Sequence, residues 1–110
     1  MITITPAAAA QIQTSALQGG TQGMALRIAA KRDSAGAIQY AMGFDDTSHR
    51  EDTRFNTAGI DLVVAATSTM LLEGTTLDYV ELEPGHFDFI FMNPNDPNYR
   101  PPQEDRQDNA

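Results

Sequence analysis

The stretch Met24–Phe44, MALRIAAKRDSAGAIQYAMGF, decides how this chain folds. Apolar and polar side chains alternate on both sides of the turn-forming sequence Asp33–Gly36, and such alternation is typical of half-buried β-strands. The stretch therefore predicts a β-hairpin with a short loop and one buried face. That face comprises Leu26, Ile28 and Ala30 before the turn and Ile38, Tyr40, Met42 and Phe44 after it.

The segment before the hairpin predicts a helix. Thr5 can cap it, Pro6 suits its first turn, and an alanine-rich run continues to Leu17 before Gly19-Gly20 ends it. The helical spacing predicts one buried face, made by Ala9, Ile12 and Ala16.

The segment after the hairpin predicts four short strands and a second helix. The patterns indicate a polar loop over Asp45–Asp52, strands around Arg54–Asn56 and Ile60–Val64, a brief helix over Thr67–Leu72 ending at Gly74, and strands over Leu77–Leu82 and His86–Met92. Phe87, Phe89 and Phe91 share one face of the last strand and are expected in the core. The fold class is therefore α+β or mainly β, with an N-terminal helix and one short internal helix.

Length and composition exclude several classes of function. A chain of 110 residues accommodates one domain. Without cysteine there is no disulfide, zinc-thiolate site or thiol nucleophile. The net charge of -8 makes nucleic acids and anionic membranes unfavourable partners. No apolar run approaches the roughly 20 residues that cross a bilayer, and the first residues do not resemble a signal peptide, so we expect a cytoplasmic protein.

The composition changes sharply after Asn93. The remaining residues are rich in proline and acidic side chains and almost devoid of aliphatic ones. We expect residues 1–95 to form the domain and residues 96–110 to form a disordered tail.

Three stretches of this sequence resemble the A-type iron-sulfur cluster carrier family. They are residues 24–44, residues 60–80 (IDLVVAATSTMLLEGTTLDYV) and residues 87–95 (FDFIFMNPN). The resemblance implies the HesB-like fold, a compact mixed β-sandwich or barrel. In that family one cysteine lies in the hairpin loop and a Cys-Gly-Cys follows the Asn-Pro-Asn. These ligand positions fall here on Ala35, Arg100 and Pro102.

The missing thiolates determine what the resemblance can imply about function. A cluster is held by cysteine thiolates, and a methyl group, a protonated guanidinium and a proline ring cannot replace them. We therefore expect no cofactor and no enzymatic activity, but an accessory protein that docks on an iron-sulfur or sulfur-metabolism protein. Candidate partners are a heterodisulfide-reductase-like system and a cysteine-bearing paralogue, and the family resemblance also permits a homodimer.

Two other functions stay open at the level of sequence. Iron or a cluster could bind through Tyr99, through His49 with neighbouring carboxylates, or through thiols from another molecule. Alternatively, the fold could host an unrelated enzyme or a small-molecule site. No serine lies in a Gly-x-Ser-x-Gly motif, no glycine loop opens a helix, and the paired carboxylates Asp45-Asp46 and Asp78 with Glu81 are expected to be solvated.

Overall fold

The predicted hairpin forms one side of a larger mixed sheet. A computed structural model describes residues 2–47 and 49–97. The elements are β1 (Thr3–Ile4), α1 (Pro6–Gly19), β2 (Ala25–Arg32), β3 (Ile38–Asp45), β4 (Thr53–Thr57), β5 (Ile60–Val64), α2 (Ala66–Leu72), β6 (Thr76–Glu83) and β7 (His86–Met92).

These strands form two sheets. The four-stranded sheet has the order β3-β2-β5-β4, with β2 and β5 parallel and the other pairs antiparallel. The three-stranded sheet has the order β1-β6-β7, with β1 parallel to β6 and β7 antiparallel to it. This confirms the predicted α+β class with two helices. The sequence pattern missed β1, because a strand of two residues carries no periodicity.

Helix α1 begins and ends where the sequence indicated. The hydroxyl of Thr5 accepts a hydrogen bond from the Ala8 amide at 3.1 Å, and Gly20 adopts a left-handed conformation with φ of 71°. The Thr5 hydroxyl also donates to the Asp78 carboxylate at 2.6 Å, which fastens the start of α1 to β6. Asp78 is therefore half-buried, and the expectation that it is merely solvated is wrong.

The core lies between the two sheets and α1. Ile28, Leu62 and Leu77 are completely buried there, one from each of β2, β5 and β6. Full burial of such a side chain contributes roughly 1.5–3 kcal/mol. The even-numbered face of β2 points into this core, as the alternation predicted.

The expectation that all three phenylalanines of β7 lie in the core is only partly right. Phe89 and Phe91 pack against the core, but Phe87 is 53% exposed. Residues 81–88 at the distal end of the β6–β7 hairpin are exposed, and the Phe87 ring stacks on Tyr79 instead of entering the core. The alternation of side chains along β7 predicted the correct face of the strand. It could not show how far along the strand that face is covered by other elements.

The predicted tail lies almost entirely outside the described residues. Asp96 still belongs to the folded part, since its carboxylate accepts a hydrogen bond from the Tyr40 hydroxyl at 3.0 Å. That residues 96–110 form a separate disordered segment stays a prediction.

Candidate functional site

The Ala35 turn is organised by one aspartate. One Asp33 carboxylate oxygen accepts hydrogen bonds from the amides of Ala35 at 2.9 Å and Ala37 at 3.1 Å. The other oxygen accepts from the Gln39 side chain at 3.1 Å. Gly36 takes φ of 87°, which non-glycine residues rarely adopt. Ala35 itself is exposed, so the turn is well defined and offers a methyl group to solvent.

The Asn-Pro-Asn sequence has a structural role. Asn93 is completely buried, donates to the Leu71 carbonyl at 2.7 Å and accepts from the Asn95 amide at 2.9 Å. The Asn95 side chain donates to the carbonyls of Leu71 at 3.2 Å and Glu73 at 2.9 Å. The two asparagines thus satisfy carbonyl groups that the end of α2 leaves unpaired.

Arg32 connects the turn to the Asn-Pro-Asn segment. Its guanidinium donates to the Gly36 carbonyl at 2.8 Å and to the Asn95 carbonyl at 3.3 Å. The Ala35 turn therefore lies beside the Asn-Pro-Asn segment, which precedes the other two ligand positions in the chain. Sequence reasoning missed this arginine. One signal existed: Arg32 is an even-numbered residue of β2, like the buried Ile28 and Ala30, so its side chain lies on the same side of the strand as the core.

No set of groups in the described regions replaces the missing thiolates. Ala35 supplies no lone pair, while Arg100, Pro102 and Tyr99 lie outside the described residues. Across residues 2–47 and 49–97, the structure forms no cluster of three histidine, cysteine or acidic side chains that could hold a metal ion. A protein-ligated iron-sulfur cluster does not fit the residues that are described.

Tyr40 lies close to this region but is not a good metal ligand. Its ring stacks on Phe91 with centroids 4.4 Å apart. Burial raises the pKa of its hydroxyl to about 12, and the hydrogen bond to Asp96 acts in the same direction. The raised pKa makes the phenolate, which is the form that binds iron, harder to form at Tyr40 than at an exposed tyrosine.

The acidic loop around His49 is held by Arg27 rather than arranged around a metal. The guanidinium donates to Asp45 at 2.5 Å and contacts both carboxylate oxygens of Asp52, at 3.2 and 2.8 Å. The His49 amide also donates to Asp52, at 2.9 Å. Two of the carboxylates proposed as partners for His49 are thereby engaged.

This arrangement keeps both carboxylates ionised. Hydrogen bonds from Arg27 are the largest cause that lowers the pKa of Asp52, to about 2, and the His49 amide adds to the effect. The amide and hydroxyl of Thr47 hold the pKa of Asp45 well below its usual range, with a further contribution from Arg27.

The stability of the protein should therefore depend on pH through this cluster. A carboxyl with a lowered pKa stabilises the fold above its unfolded value of about 3.9, and loses that contribution as the pH falls through about 2 for Asp52. We expect the free energy of unfolding, measured by urea titration, to fall over this acid range. Arg27→Met should make the fall shallower.

The exposed Arg50 in the same loop provides the control for this prediction, because Arg50→Met removes an equal charge. It should leave the acid dependence close to that of the unmodified protein. Equal slopes for the Arg27 and Arg50 variants would show that the cluster does not control acid stability.

Ser68 is another residue that sequence reasoning missed. Its buried hydroxyl accepts from the Ala30 amide at 3.0 Å and donates to the Ala30 carbonyl at 3.2 Å. The pairing of β5 with β2 ends at Val64, and Ser68 of α2 provides partners for the next backbone groups of β2. No motif identifies a serine with this role.

Comparison with known proteins decides the family. The family model described as iron-sulphur cluster biosynthesis matches residues 1–98. The chain belongs to that family. Together with the fold, this confirms the A-type resemblance in a chain without cysteine.

Relatives and solved structures agree with this assignment. The chain is 35% identical over 94 residues to the iron-binding protein IscA of Salmonella arizonae, covering 86% of both chains. It is 33% identical over 91 residues to the iron-sulfur cluster insertion protein ErpA of Nitrosococcus oceani, covering 83% of this chain and 78% of the relative.

Two crystal structures resemble the fold. One is IscA with the 2Fe-2S cluster, with a TM-score of 0.72, 28% identity and 86% coverage of both chains. The other is Escherichia coli SufA, with a TM-score of 0.71, 28% identity and coverage of 94% of this chain and 89% of SufA. No helix of the described residues is long and apolar enough to span a bilayer.

Proposed function

We propose that this protein is a non-enzymatic accessory member of the iron-sulphur cluster biosynthesis family that holds no cluster through its own side chains. It acts by docking on a partner protein in the cytoplasm. Candidate partners are an iron-sulfur or sulfur-metabolism protein, such as a heterodisulfide-reductase-like component, or a cysteine-bearing paralogue with which it pairs as the family scaffold allows.

One observation carries this proposal. Arg32 joins the Ala35 turn to the Asn-Pro-Asn segment, which supports a well-ordered scaffold around the loop that the family resemblance indicates. This loop carries alanine at the position that the resemblance assigns to a cysteine, and the chain has no cysteine elsewhere. An intact scaffold without ligands favours a retained docking role over a retained carrier role.

Anaerobic native mass spectrometry tests the proposal directly. The protein isolated from its own host should contain neither iron nor sulfide, and should carry a second polypeptide. Reconstitution with iron, sulfide and an added small thiol should leave its mass unchanged. Bound iron or sulfide would instead support the alternative, in which Tyr99, His49 or external thiols act as ligands.

A matched positive control is the triple variant Ala35→Cys, Arg100→Cys and Pro102→Cys, reconstituted in parallel. It restores the three thiolates at the positions that the family resemblance indicates. We expect it to gain the visible absorbance and the mass of a cluster, while the unmodified protein gains neither. Equal loading of both proteins would contradict the proposal.

A further inference from the structure

Strand β7 lies at the open edge of the three-stranded sheet. Among the strands of the described regions it pairs with β6 alone. Its sequence, HFDFIFM, contains neither lysine nor proline, the residues with which proteins commonly protect such edges. An apolar edge of this kind favours the addition of another strand.

The register shows which backbone groups face outward. The Leu77 carbonyl accepts a hydrogen bond from the Thr5 amide at 3.1 Å, so the backbone groups of Leu77 point towards β1 and away from β7. In an antiparallel ladder, pairs that exchange hydrogen bonds alternate with pairs that do not. The non-exchanging pairs here are Leu77 with Phe91, Tyr79 with Phe89 and Glu81 with Phe87.

The N–H and C=O groups of Phe87, Phe89 and Phe91 therefore point to the outer edge of β7. One side-chain contact agrees with this geometry, since the Phe89 amide donates to the Asp88 carboxylate at 2.9 Å. The Asp88 carboxylate thus accepts the hydrogen bond of one outward-facing amide, that of Phe89. A strand added at this edge would pair with the backbone of these three residues and would displace the Asp88 carboxylate from the Phe89 amide.

The charged side chains of the β6–β7 hairpin and its turn are acidic. No lysine or arginine occurs between Arg54 and Arg100. The distal half of the hairpin carries the exposed carboxylates Glu81, Glu83 and Asp88. An approaching segment with lysine or arginine is attracted, and an acidic one is repelled.

The inner face beside the edge is apolar. Phe89 borders a cleft of about 220 Å³ between the hairpin and β3, with Met42, Phe44, Leu26 and Ile12 among its walls. Tyr79 of the neighbouring strand β6 adds to this apolar face, since its ring lies 4.8 Å from Phe89 and 5.6 Å from Phe87 between centroids. Alternate side chains of an added strand would enter this cleft or lie on these rings.

We propose that the outer edge of β7 binds an extended segment of a partner protein in which apolar residues alternate with lysine or arginine. The segment adds a strand to the sheet, its apolar side chains face the cleft, and its cationic side chains lie beside Asp88. This inference rests on the proposed function, which requires a docking surface.

A second copy of this chain suits the edge less well. Two β7 strands paired edge to edge would bring the acidic residues of both hairpins together, and like charges on adjacent strands are destabilising. A cationic partner strand has the opposite effect. Charge complementarity therefore selects a different protein over self-association.

The test uses a labelled peptide in which valine alternates with lysine, about eight residues long and so close to a typical strand. Fluorescence anisotropy measures its binding to the full chain. A peptide in which valine alternates with glutamate tests whether binding requires positive charge. A valine-lysine peptide with N-methyl groups on alternate residues tests whether binding requires backbone hydrogen bonds to β7. Asp88→Lys alters the edge, and Glu51→Lys in the distant loop makes the same charge change as a control.

We expect only the unmodified valine-lysine peptide to bind, with affinity about tenfold lower for Asp88→Lys and nearly unchanged for Glu51→Lys. Hydrogen exchange should slow at the amides of Phe87, Phe89 and Phe91 when peptide is added. Binding of the N-methylated or acidic peptide, absence of binding, or unaltered exchange at those amides would overturn the proposal.

Self-association has its own signature. If the same amides were protected without peptide, and Asp88→Lys changed the molecular mass in light scattering, the edge would belong to a second copy and the proposal would be wrong. These outcomes are independent of cluster content. If the peptide failed to bind, the proposal that the protein holds no cluster would be unaffected. If the native protein contained bound iron, the peptide-binding result at β7 would be unaffected.

Discussion

Replacing Leu77 with alanine is expected to lower the free energy of unfolding by about 2–5 kcal/mol. Leu77 is completely buried on β6, between Ile4 of β1 and Phe91 of β7, and belongs to the core beneath α1. Truncation removes its transfer free energy and leaves a cavity that three surrounding elements cannot readily fill. Urea denaturation followed by circular dichroism measures the change.

The same strand offers a matched control. Leu82 is 59% exposed at the distal end of β6, and Leu82→Ala makes the identical chemical change. It should alter stability by no more than about 0.5 kcal/mol. Similar losses from both variants would mean that the hairpin is equally packed along its length, which contradicts the described burial.

The second large effect is expected from Asn93→Ala. Asn93 is completely buried and joins α2 to the segment after β7 through the Leu71 carbonyl and the Asn95 amide. Alanine would leave a cavity and an amide without its acceptor, at a cost of about 2–4 kcal/mol. Thermal and urea unfolding would both report this loss.

Asn56 of β4 is the control for this substitution. It is exposed and makes one side-chain hydrogen bond, to Asp61 at 2.9 Å. Asn56→Ala should cost no more than about 0.5 kcal/mol. If Asn93→Ala were equally mild, the Asn-Pro-Asn segment would not have the structural role assigned to it.

The elements that the sequence predicted well are those with a local signal. Alternation identified β2 and β3 together with their buried face, and Thr5-Pro6 and Gly20 marked the ends of α1. Strand β1 and the partial exposure of Phe87 were not predictable in this way. Both depend on which other element lies opposite, and that information is absent from a local pattern.

The candidate site also has features that the sequence alone reveals and features that only the fold reveals. The loss of thiolate ligands follows from composition alone, because no arrangement of this chain can supply a cysteine. The hydrogen bonds from Arg27 to Asp45 and Asp52 could not be predicted from composition, because Arg27 is 18 and 25 residues away from them along the chain. A sequence shows an acidic loop with a histidine, and only the fold shows that a cation from β2 occupies it.

The sequence by itself thus determined the fold class, the β2–β3 hairpin and the absence of thiolate ligands in the chain itself, since periodicity and composition act locally or on the chain as a whole. Tertiary structure decided that Arg32 joins the Ala35 turn to Asn95 and that β7 pairs with β6 alone among the strands of residues 2–47 and 49–97. Those features depend on contacts between residues far apart in the chain. Such contacts arise only when both sheets have assembled around one core.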